Sequence, residues 1–232
     1  MVNDVIINGT PLSDFGAVMV DAKSLCAPNP QYDTVEIDGR NGDLLINRGR
    51  YSNYELDLTG VIDRNFHSNF LAMRGYLMAQ NSYVRIEESA LPEYYRMGRL
   101  MGGIAPNTSG EHQIRLFTLK YWCKPQMWLK SGEIAIDETA GFTVYNPTQY
   151  TALPLIRVYG SGTLTVGTNA ITVDAGATYI DIDSDIMDCY EGTTNRNALV
   201  HMAEFPKFEA GATAIAFTGI TRVVVTPRWY TL

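Results

Sequence analysis

Hydrophobic and polar residues alternate along much of the chain, and a period of two residues is typical of half-buried β-strands. Tyr54, Leu56, Leu58 and, after Gly60, Ile62 alternate with polar residues in this way. From residue 134 onward, short segments rich in Thr, Val and Ile alternate with turn residues about every 8–12 positions, as in sandwiches and barrels. The pattern predicts a mainly β fold.

One segment has the period of a helix instead. Phe66, Phe70, Met73 and Leu77 recur at spacings of four, three and four residues. Those positions would share one face of a helix, and Asn65 or Asp63 is placed to cap its first turn. We expect this apolar face to lie in the protein core and not in a groove for a partner.

Turn residues predict two hairpins in the first half of the chain. The run Asp38-Gly39-Arg40-Asn41-Gly42 contains a D-G and an N-G pair between two apolar segments, and such pairs favour tight turns. The segments EYYRMGRLMGGI and HQIRLFTLKYWC are predicted to pair as a long hairpin across the polar turn APNTSGE. Its arginines make that hairpin basic, which fits a solvated face, a protected edge or an assembly contact.

The chain changes character near residue 130. The stretch KPQMWLKSGE, residues 124–133, contains Pro125, which ends a strand, and Ser131-Gly132, which can turn. We therefore predict two all-β domains, residues 1–130 and 131–232.

Composition excludes several classes of protein. The net charge is −7 over 232 residues, which argues against nucleic acid or an anionic membrane as the main partner. We expect neither a signal peptide nor a membrane span, because the first residues have no basic segment and no apolar run approaches the length of a bilayer. The widely spaced Cys26, Cys123 and Cys189 predict reduced thiols, as in a protein made in a cytosol.

The densest group of acids lies in YIDIDSDIMDCYEG, residues 179–192. Counted as a calcium-binding loop from Asp181, it fails where glycine and glutamate are required, because Ile186 and Gly192 stand there. We expect Asp181 and Asp183 to point to the solvent from one face of a strand, with Ile180 and Ile182 on its other face. A cation site is the less favoured alternative.

No catalytic constellation is present. His67, His112 and His201 have no metal-ligand spacing, and no GxSxG motif occurs. The glycines of YGSGTLTVG lie between two predicted strands without a following helix, so a hairpin turn explains them better than a phosphate loop. We therefore predict a protein that is not an enzyme and has no cofactor, metal ligands or catalytic residues.

Motifs along the whole chain resemble one family. They are IINGTPLSDFG, DGRNGDLL followed by RYSNYELDL, YWCKPQMWLKSGE, NPTQYTALPLIRVYGSG, TYIDIDSDIMDCYEG and ITRVVVTPRWYTL. Together they resemble the distal tail proteins (Dit) of siphophages that infect Gram-positive bacteria. The resemblance implies an N-terminal β-barrel-like belt domain with one helix and a long hairpin arm, followed by a C-terminal galectin-like β-sandwich.

The resemblance also implies a role. Such proteins form a hexameric ring that joins the tail tube protein to the tail-tip (Tal-type) protein and to a receptor-binding protein, at the distal end of the tail of a virion made in the bacterial cytoplasm. DNA would pass through the ring without specific binding. As candidate assembly contacts we select Gly39, Arg40, Asn41, Gly42, Arg96, Arg99 and Arg115.

The alternative function is a carbohydrate-binding module that recognises the host surface. Galectins bind sugar through a His-x-Asn-x-Arg strand and a nearby Trp-x-x-Glu-x-Arg. Here His201 lacks the following Asn and Arg, and Trp229 is followed by Tyr-Thr-Leu. Because these sugar-binding residues are missing, we favour the tail hub over the carbohydrate-binding module.

Overall fold

The computed structural model describes residues 3–21, 26–107 and 115–232. Strands hold 54% of these described residues and helices 11%, which confirms the predicted mainly β fold. The chain divides into two compact units. The first unit extends to Met127 and includes Leu232, whereas the second spans Trp128–Thr231. Each has a buried hydrophobic core of its own, as a folded domain requires.

The first unit contains the α-helix and the strands with the clearest alternation. Its elements are β1 (Val5–Ile7), β2 (Thr10–Pro11), a 3-10 turn (Leu12–Phe15), β3 (Ala17–Asp21), β4 (Pro30–Val35), β5 (Leu44–Tyr51), β6 (Tyr54–Ile62), α1 (Phe66–Met78), β7 (Val84–Glu88), β8 (Tyr94–Leu100), β9 (Pro106–Asn107) and β10 (Arg115–Leu129), which continues into the second unit.

Most of these strands form one sheet, in the order β2-β1-β7-β8-β10-β6-β3. Along β6 and residues 117–123 of β10 every second side chain is buried, including Leu56, Leu58, Phe117 and Leu119. The buried face packs against α1 in the core of this unit. The opposite face of β3, β6 and β10 carries partly or fully exposed side chains, and we call it the open face.

The predicted pairing of β8 and β10 is present, since the two strands are neighbours in the sheet. Just beyond β8, the Met101 N–H donates a hydrogen bond of 2.7 Å to the Lys120 carbonyl. His112, which we expected at the start of the second strand, lies outside the described residues.

The helix follows its predicted apolar face. Phe70, Met73 and Leu77 are buried, and Phe66 stacks on Phe70 with 5.2 Å between ring centroids. The N-terminus of the helix differs from the prediction that a side chain caps its first turn. Asn65 is the N-cap residue, but its φ of 47° is left-handed and its side chain makes no capping hydrogen bond. Packing therefore holds this helix in place of a side-chain cap.

The second unit consists of strands and short 3-10 turns. Its elements are a 3-10 turn (Lys130–Glu133), β11 (Ile136–Glu138), β12 (Phe142–Asn146), β13 (Leu155–Val166), β14 (Asn169–Val173), β15 (Ile180–Asp183), β16 (Asp188–Glu191), β17 (Thr194–Asn195), a 3-10 turn (Asn197–Leu199), β18 (Val200–His201), β19 (Gly211–Thr226) and β20 (Tyr230–Thr231). The main sheet order is β11-β19-β13-β15-β16-β17, while β12 pairs with β19 and β14 pairs with β13 and β18.

The long strands β13 and β19 organise this unit because each bends and pairs with different neighbours along its length. The first half of β13 pairs with β15 and the second half with β14. The register between β13 and β19 shifts on both sides of Gly160. A β-carbon on Gly162 would lie 2.1 Å from the Thr218 carbonyl oxygen, so only glycine fits at this bend.

This bend corrects the predicted hairpin turn at Gly160-Ser161-Gly162. β13 runs through these residues without a turn. Glycines mark bulges within strands as well as turns between them, and a bulge re-aims a strand without reversing it.

Candidate assembly surface

β4 and β5 form a hairpin that is a separate two-stranded sheet, and we call it the ribbon. Val35 lies opposite Leu44, and Asp33 lies opposite Ile46. In an antiparallel pair these four side chains share one face. Val35, Leu44 and Ile46 are 41%, 40% and 48% exposed, and we call them the apolar ribbon face.

The other face of the ribbon is also partly apolar. Tyr32 and Leu45 lie there and are 49% and 63% exposed. A two-stranded hairpin is marginally stable in water by itself, and apolar side chains exposed on both faces give it little core. The ribbon therefore presents a surface that gains stability when a partner covers it.

An ion pair links the two ribbon strands. The Arg48 Nε–H donates to Asp33 Oδ2 at 2.8 Å. Hydrogen bonding and charge from Arg48 lower the pKa of Asp33, and the same contact raises the pKa of Arg48. Beside it, the Gly49 N–H donates to Asn47 Oδ1 at 2.8 Å. At its base, the Ser52 N–H donates to the Asn29 carbonyl at 3.0 Å.

The predicted turn residues Gly39, Arg40, Asn41 and Gly42 lie in the exposed loop between the two ribbon strands. Gly39 and Gly42 have positive φ angles of 77° and 84°, which favour glycine. A β-carbon on either would have no atom within 4 Å. The turn is therefore open to a partner, and its part in assembly stays a prediction.

The three arginines that we selected as assembly contacts on β8 and β10 have different surroundings. Arg96 is 3% exposed and pairs with Glu88, so it does not belong to the solvated basic surface that we expected. The sequence places it on the sheet but does not show that Glu88, eight residues away, also points inward. Arg99 is exposed. Arg115 is half-buried, with its guanidinium carbon 5.2 Å from the centroid of the Phe66 ring.

The aspartates of residues 179–192 correct a second expectation. Asp181 and Asp183 are 3% and 4% exposed, not solvent-facing. Arg157 donates to both oxygens of Asp181 at 2.7 and 2.8 Å. Arg228 donates to both oxygens of Asp183 at 2.6 and 2.9 Å. The acids do alternate with isoleucines as predicted, but Arg157 of β13 and Arg228, which lies between β19 and β20, cover their side of the sheet.

The environment of Asp183 favours its charged form. Burial alone would raise the pKa of its carboxyl, but the hydrogen bonds and charge of Arg228 and backbone N–H groups outweigh that effect. The pKa is therefore lowered. Among these backbone donors, the Asp185 N–H lies 3.1 Å from Asp183 Oδ1.

The last aspartate of the group is also paired within the protein. Asp188 Oδ1 accepts hydrogen bonds from the side-chain amides of Asn195 and Asn197 at 2.9 and 2.7 Å. Among the described residues, no group of three or more acidic, histidine or cysteine side chains could hold a metal ion.

His201 and Trp229, the two residues compared with the galectin motif, differ in solvent exposure. His201 is exposed and pairs with Asp174 at 2.9 Å. Trp229 is 5% exposed and packs against Phe208, with 5.7 Å between ring centroids. A buried ring cannot stack on a sugar, so Trp229 is a core residue.

Over the described ranges, no helix combines the length and apolar character that a bilayer crossing needs.

The sequence predicts the ribbon as a hairpin, but it does not show that the strands of the ribbon are exposed on both faces. The run Leu44-Leu45-Ile46 is continuously apolar and follows a tight turn. A short continuous apolar run is typical of a strand covered on both faces. Here both faces are exposed, and that mismatch makes the ribbon a candidate assembly surface.

Comparison with solved structures identifies the fold, whereas the sequence comparisons find no match. No protein-family model matches the sequence, and no curated protein sequence matches it. The crystal structure of SPP1 Dit (gp 19.1), described as a paradigm of the hub adsorption apparatus in Gram-positive-infecting phages, matches with a TM-score of 0.77, 15% identity and 100% coverage of both chains. A chain of the phage P2 baseplate in its activated conformation with Ca matches with a TM-score of 0.53 and 10% identity, over 99% of this chain and 98% of that chain. The chain therefore has the fold of a phage Dit protein over its full length.

Proposed function

We propose that the chain is a structural protein of a bacteriophage tail, a distal hub that forms a hexameric ring. The observation that carries this proposal is the full-length similarity to SPP1 Dit, with a TM-score of 0.77. The ring would join the tail tube protein to the tail-tip and receptor-binding proteins at the distal end of the virion tail.

The ribbon supports a role in assembly. Its apolar side chains on both faces are exposed in the single chain, and burying them against a neighbour would stabilise both. Burial of apolar area contributes about 25 cal/mol per Å². The alternative function, a carbohydrate-binding module, gains no supporting observation, because the ring of Trp229 is buried.

The test is the oligomeric state of the purified chain and of a ribbon variant. We expect light scattering on a sizing column, over a concentration series, to give about six times the mass of the chain, and negative-stain images to show a ring. Ile46→Asp places a charge on the apolar ribbon face and should give a folded monomer, because the charge would be buried in the contact.

Leu71→Asp is the matched control. Leu71 is 57% exposed on the outer side of α1, so this variant tests an equal change in charge away from the ribbon. It should keep the ring. A parent chain that stays monomeric at every concentration and does not bind tail-tube or tail-tip proteins would contradict the proposed function.

A further inference from the structure

β12 is an edge strand of the second unit. It pairs with β19 and with no other described strand, and its five residues keep one register with β19 without a bulge. Thr143 and Tyr145 are exposed, and the exposed fraction of Tyr145 reaches 68%. The side of β12 that faces away from β19 is therefore open to another strand.

One hydrogen bond shows which backbone groups of β12 point to this open side. Gly167 follows β13, and its N–H donates to the Ala214 carbonyl of β19 at 2.8 Å. The backbone groups of Ala214 therefore point away from β12. Thr143 lies opposite Ala214, so the two form a non-hydrogen-bonded pair, and the N–H and C=O of Thr143 point to the open side. Tyr145, two residues further on, presents the same two groups.

This arrangement of donors and acceptors recognises an extended polypeptide. The backbone groups of Thr143 and Tyr145 repeat after two residues, or about 6.8 Å, which is also the repeat of an incoming strand. A strand that is added at an edge gains affinity from main-chain hydrogen bonds and specificity from its alternate side chains. The ring of Tyr145 lies opposite the small side chain of Ala212, which leaves it available to pack against a side chain of the added strand.

The open edge lacks the charges with which natural edge strands prevent pairing. β11 and β12 lie along the same side of β19. β11 carries Asp137 and Glu138, and Asp137 accepts a hydrogen bond from Arg222 at 2.7 Å. In contrast, no charged residue occurs in residues 139–156, which include β12, or in residues 210–221 of the strand beside it. The same edge is therefore protected at β11 and unprotected at β12.

The structure also indicates which kind of chain pairs with β12. Neighbours in a closed ring contact each other through two different surfaces, so a second copy would have to offer another uncharged edge. The other described edge strands are either two or three residues long (β2, β9, β11, β17, β18 and β20) or carry a charged residue (β3, β4 and β5). A segment of a different protein is therefore the better match.

We infer that β12 is a strand-addition site, at which an extended, uncharged segment of another tail protein pairs with Thr143 and Tyr145. This inference rests on the proposed tail hub. It adds a contact in the second unit and the chemistry of the partner segment.

Hydrogen exchange tests the site. The exchange rate of the Tyr145 N–H is measured by mass spectrometry with residue-level fragmentation, in the purified ring and in assembled tails. We expect fast exchange in the ring and exchange that is slower by roughly tenfold or more in tails, because a bonded N–H exchanges only when its bond opens. The Val144 N–H, which points to β19, is the internal reference and should exchange slowly in both.

Three outcomes separate this inference from the proposed function. Equally fast exchange of the Tyr145 N–H in ring and tails overturns the strand-addition site and leaves the hub proposal standing. Slow exchange in the purified ring overturns the assignment to another protein, because a second copy would then cover the edge. A chain that forms no ring and is absent from tails overturns the hub proposal itself.

Variants of the edge show whether the backbone is recognised. Thr143→Pro removes the N–H that points outward, and proline is tolerated at such positions of edge strands. The Tyr145 N–H should then exchange rapidly in tails as well. Thr143→Val is the matched control, because it keeps the N–H and the branched shape, and it should keep the slow exchange. Loss of slow exchange in Thr143→Val would show that the side chain is recognised and would overturn strand addition.

Tyr145→Lys is a second variant, at a position so exposed that the fold should tolerate it. It places a charge on the edge, as natural edge strands do against pairing. The Thr143 N–H should then exchange rapidly in tails, whereas it exchanges slowly in tails of the parent chain. Slow exchange that persists in both Thr143→Pro and Tyr145→Lys overturns the inference.

Discussion

Arginine–aspartate pairs on the main sheet of the second unit hold carboxylates that are almost out of contact with water. The Asp183 side chain is 6% exposed and that of its partner Arg228 is 29% exposed. Removing one partner of a buried pair costs more than the pair itself contributes, because it leaves the other charge desolvated. A substitution that removes one partner of such a pair should therefore lower the free energy of unfolding.

Asp183→Asn should destabilise the second unit by about 3 kcal/mol, because it removes the charge that compensates Arg228. The measurement is the free energy of unfolding from urea denaturation at pH 7, followed by tryptophan fluorescence. Asp185→Asn is the matched control. Asp185 is an exposed neighbour in the following turn, so its change should stay within about 0.5 kcal/mol. Equal losses in both variants would contradict a specific role for the pair.

The same residue predicts how stability depends on pH. The pKa of Asp183 is lower in the folded chain than its ordinary value. Its contribution is therefore complete above the unfolded pKa of about 3.9 and is lost as the pH falls toward the folded pKa. The difference in unfolding free energy between the parent and Asp183→Asn should be largest at pH 6 and should shrink by pH 3. A difference that is constant over this range would show that charge is not its source.

At these positions the sequence predicts which side of the strand the acids share, because alternation alone determines the face. It does not predict what covers that face. Arg157 is 24 residues from Asp181, and Arg228 is 45 residues from Asp183. Only the tertiary fold places them together, so isolated motif reasoning assigns such acids to the solvent.

The bend of β13 and β19 is the element that most restricts the sequence of the second unit. Gly162 has a φ of 148°, and its β-carbon position is 2.1 Å from the Thr218 carbonyl oxygen. Gly162→Ala should therefore cost about 3 kcal/mol or more of unfolding free energy, from a backbone clash together with strain. Thermal or urea denaturation of the purified variant measures the loss.

Gly211→Ala separates the two causes. Gly211 also has a positive φ, of 90°, but its β-carbon position has no atom within 4 Å. The strain alone should cost about 1–2 kcal/mol. If Gly162→Ala costs no more than Gly211→Ala, the strands can move apart at the bend, and the close approach is not a constraint on the fold.

At this scale the sequence predicts strands better than their connections. Alternation identifies β6, and the helical period identifies α1, because each depends on contacts that repeat within the element. The glycines of YGSG do not show whether a strand reverses or bends, since both need the same backbone freedom. The ribbon is a similar case. Its turn is visible in the D-G and N-G pairs, but the exposure of its apolar strands is not.

Two separate cores give the whole chain more than one folding unit. Cys123 is buried in the core of the first unit, and Cys189 in the core of the second. Burial raises the pKa of each thiol to about 12, so each is both inaccessible and protonated in the folded state. Since the thiolate is the reactive form, each cysteine reports the opening of its own core.

We therefore expect the two thiols to become reactive at different urea concentrations, with Cys26, which is exposed, reacting first at all of them. The measurement is the modification rate of each cysteine by a thiol reagent, resolved by mass spectrometry of peptides. Gly162→Ala provides the decisive comparison, because it lies in the second unit. It should accelerate the modification of Cys189 and leave that of Cys123 unchanged, as expected when domains open separately. Equal acceleration of both would instead show that the two cores unfold as one cooperative structure, and the proposed ring would then be as sensitive to damage in the second unit as in the first.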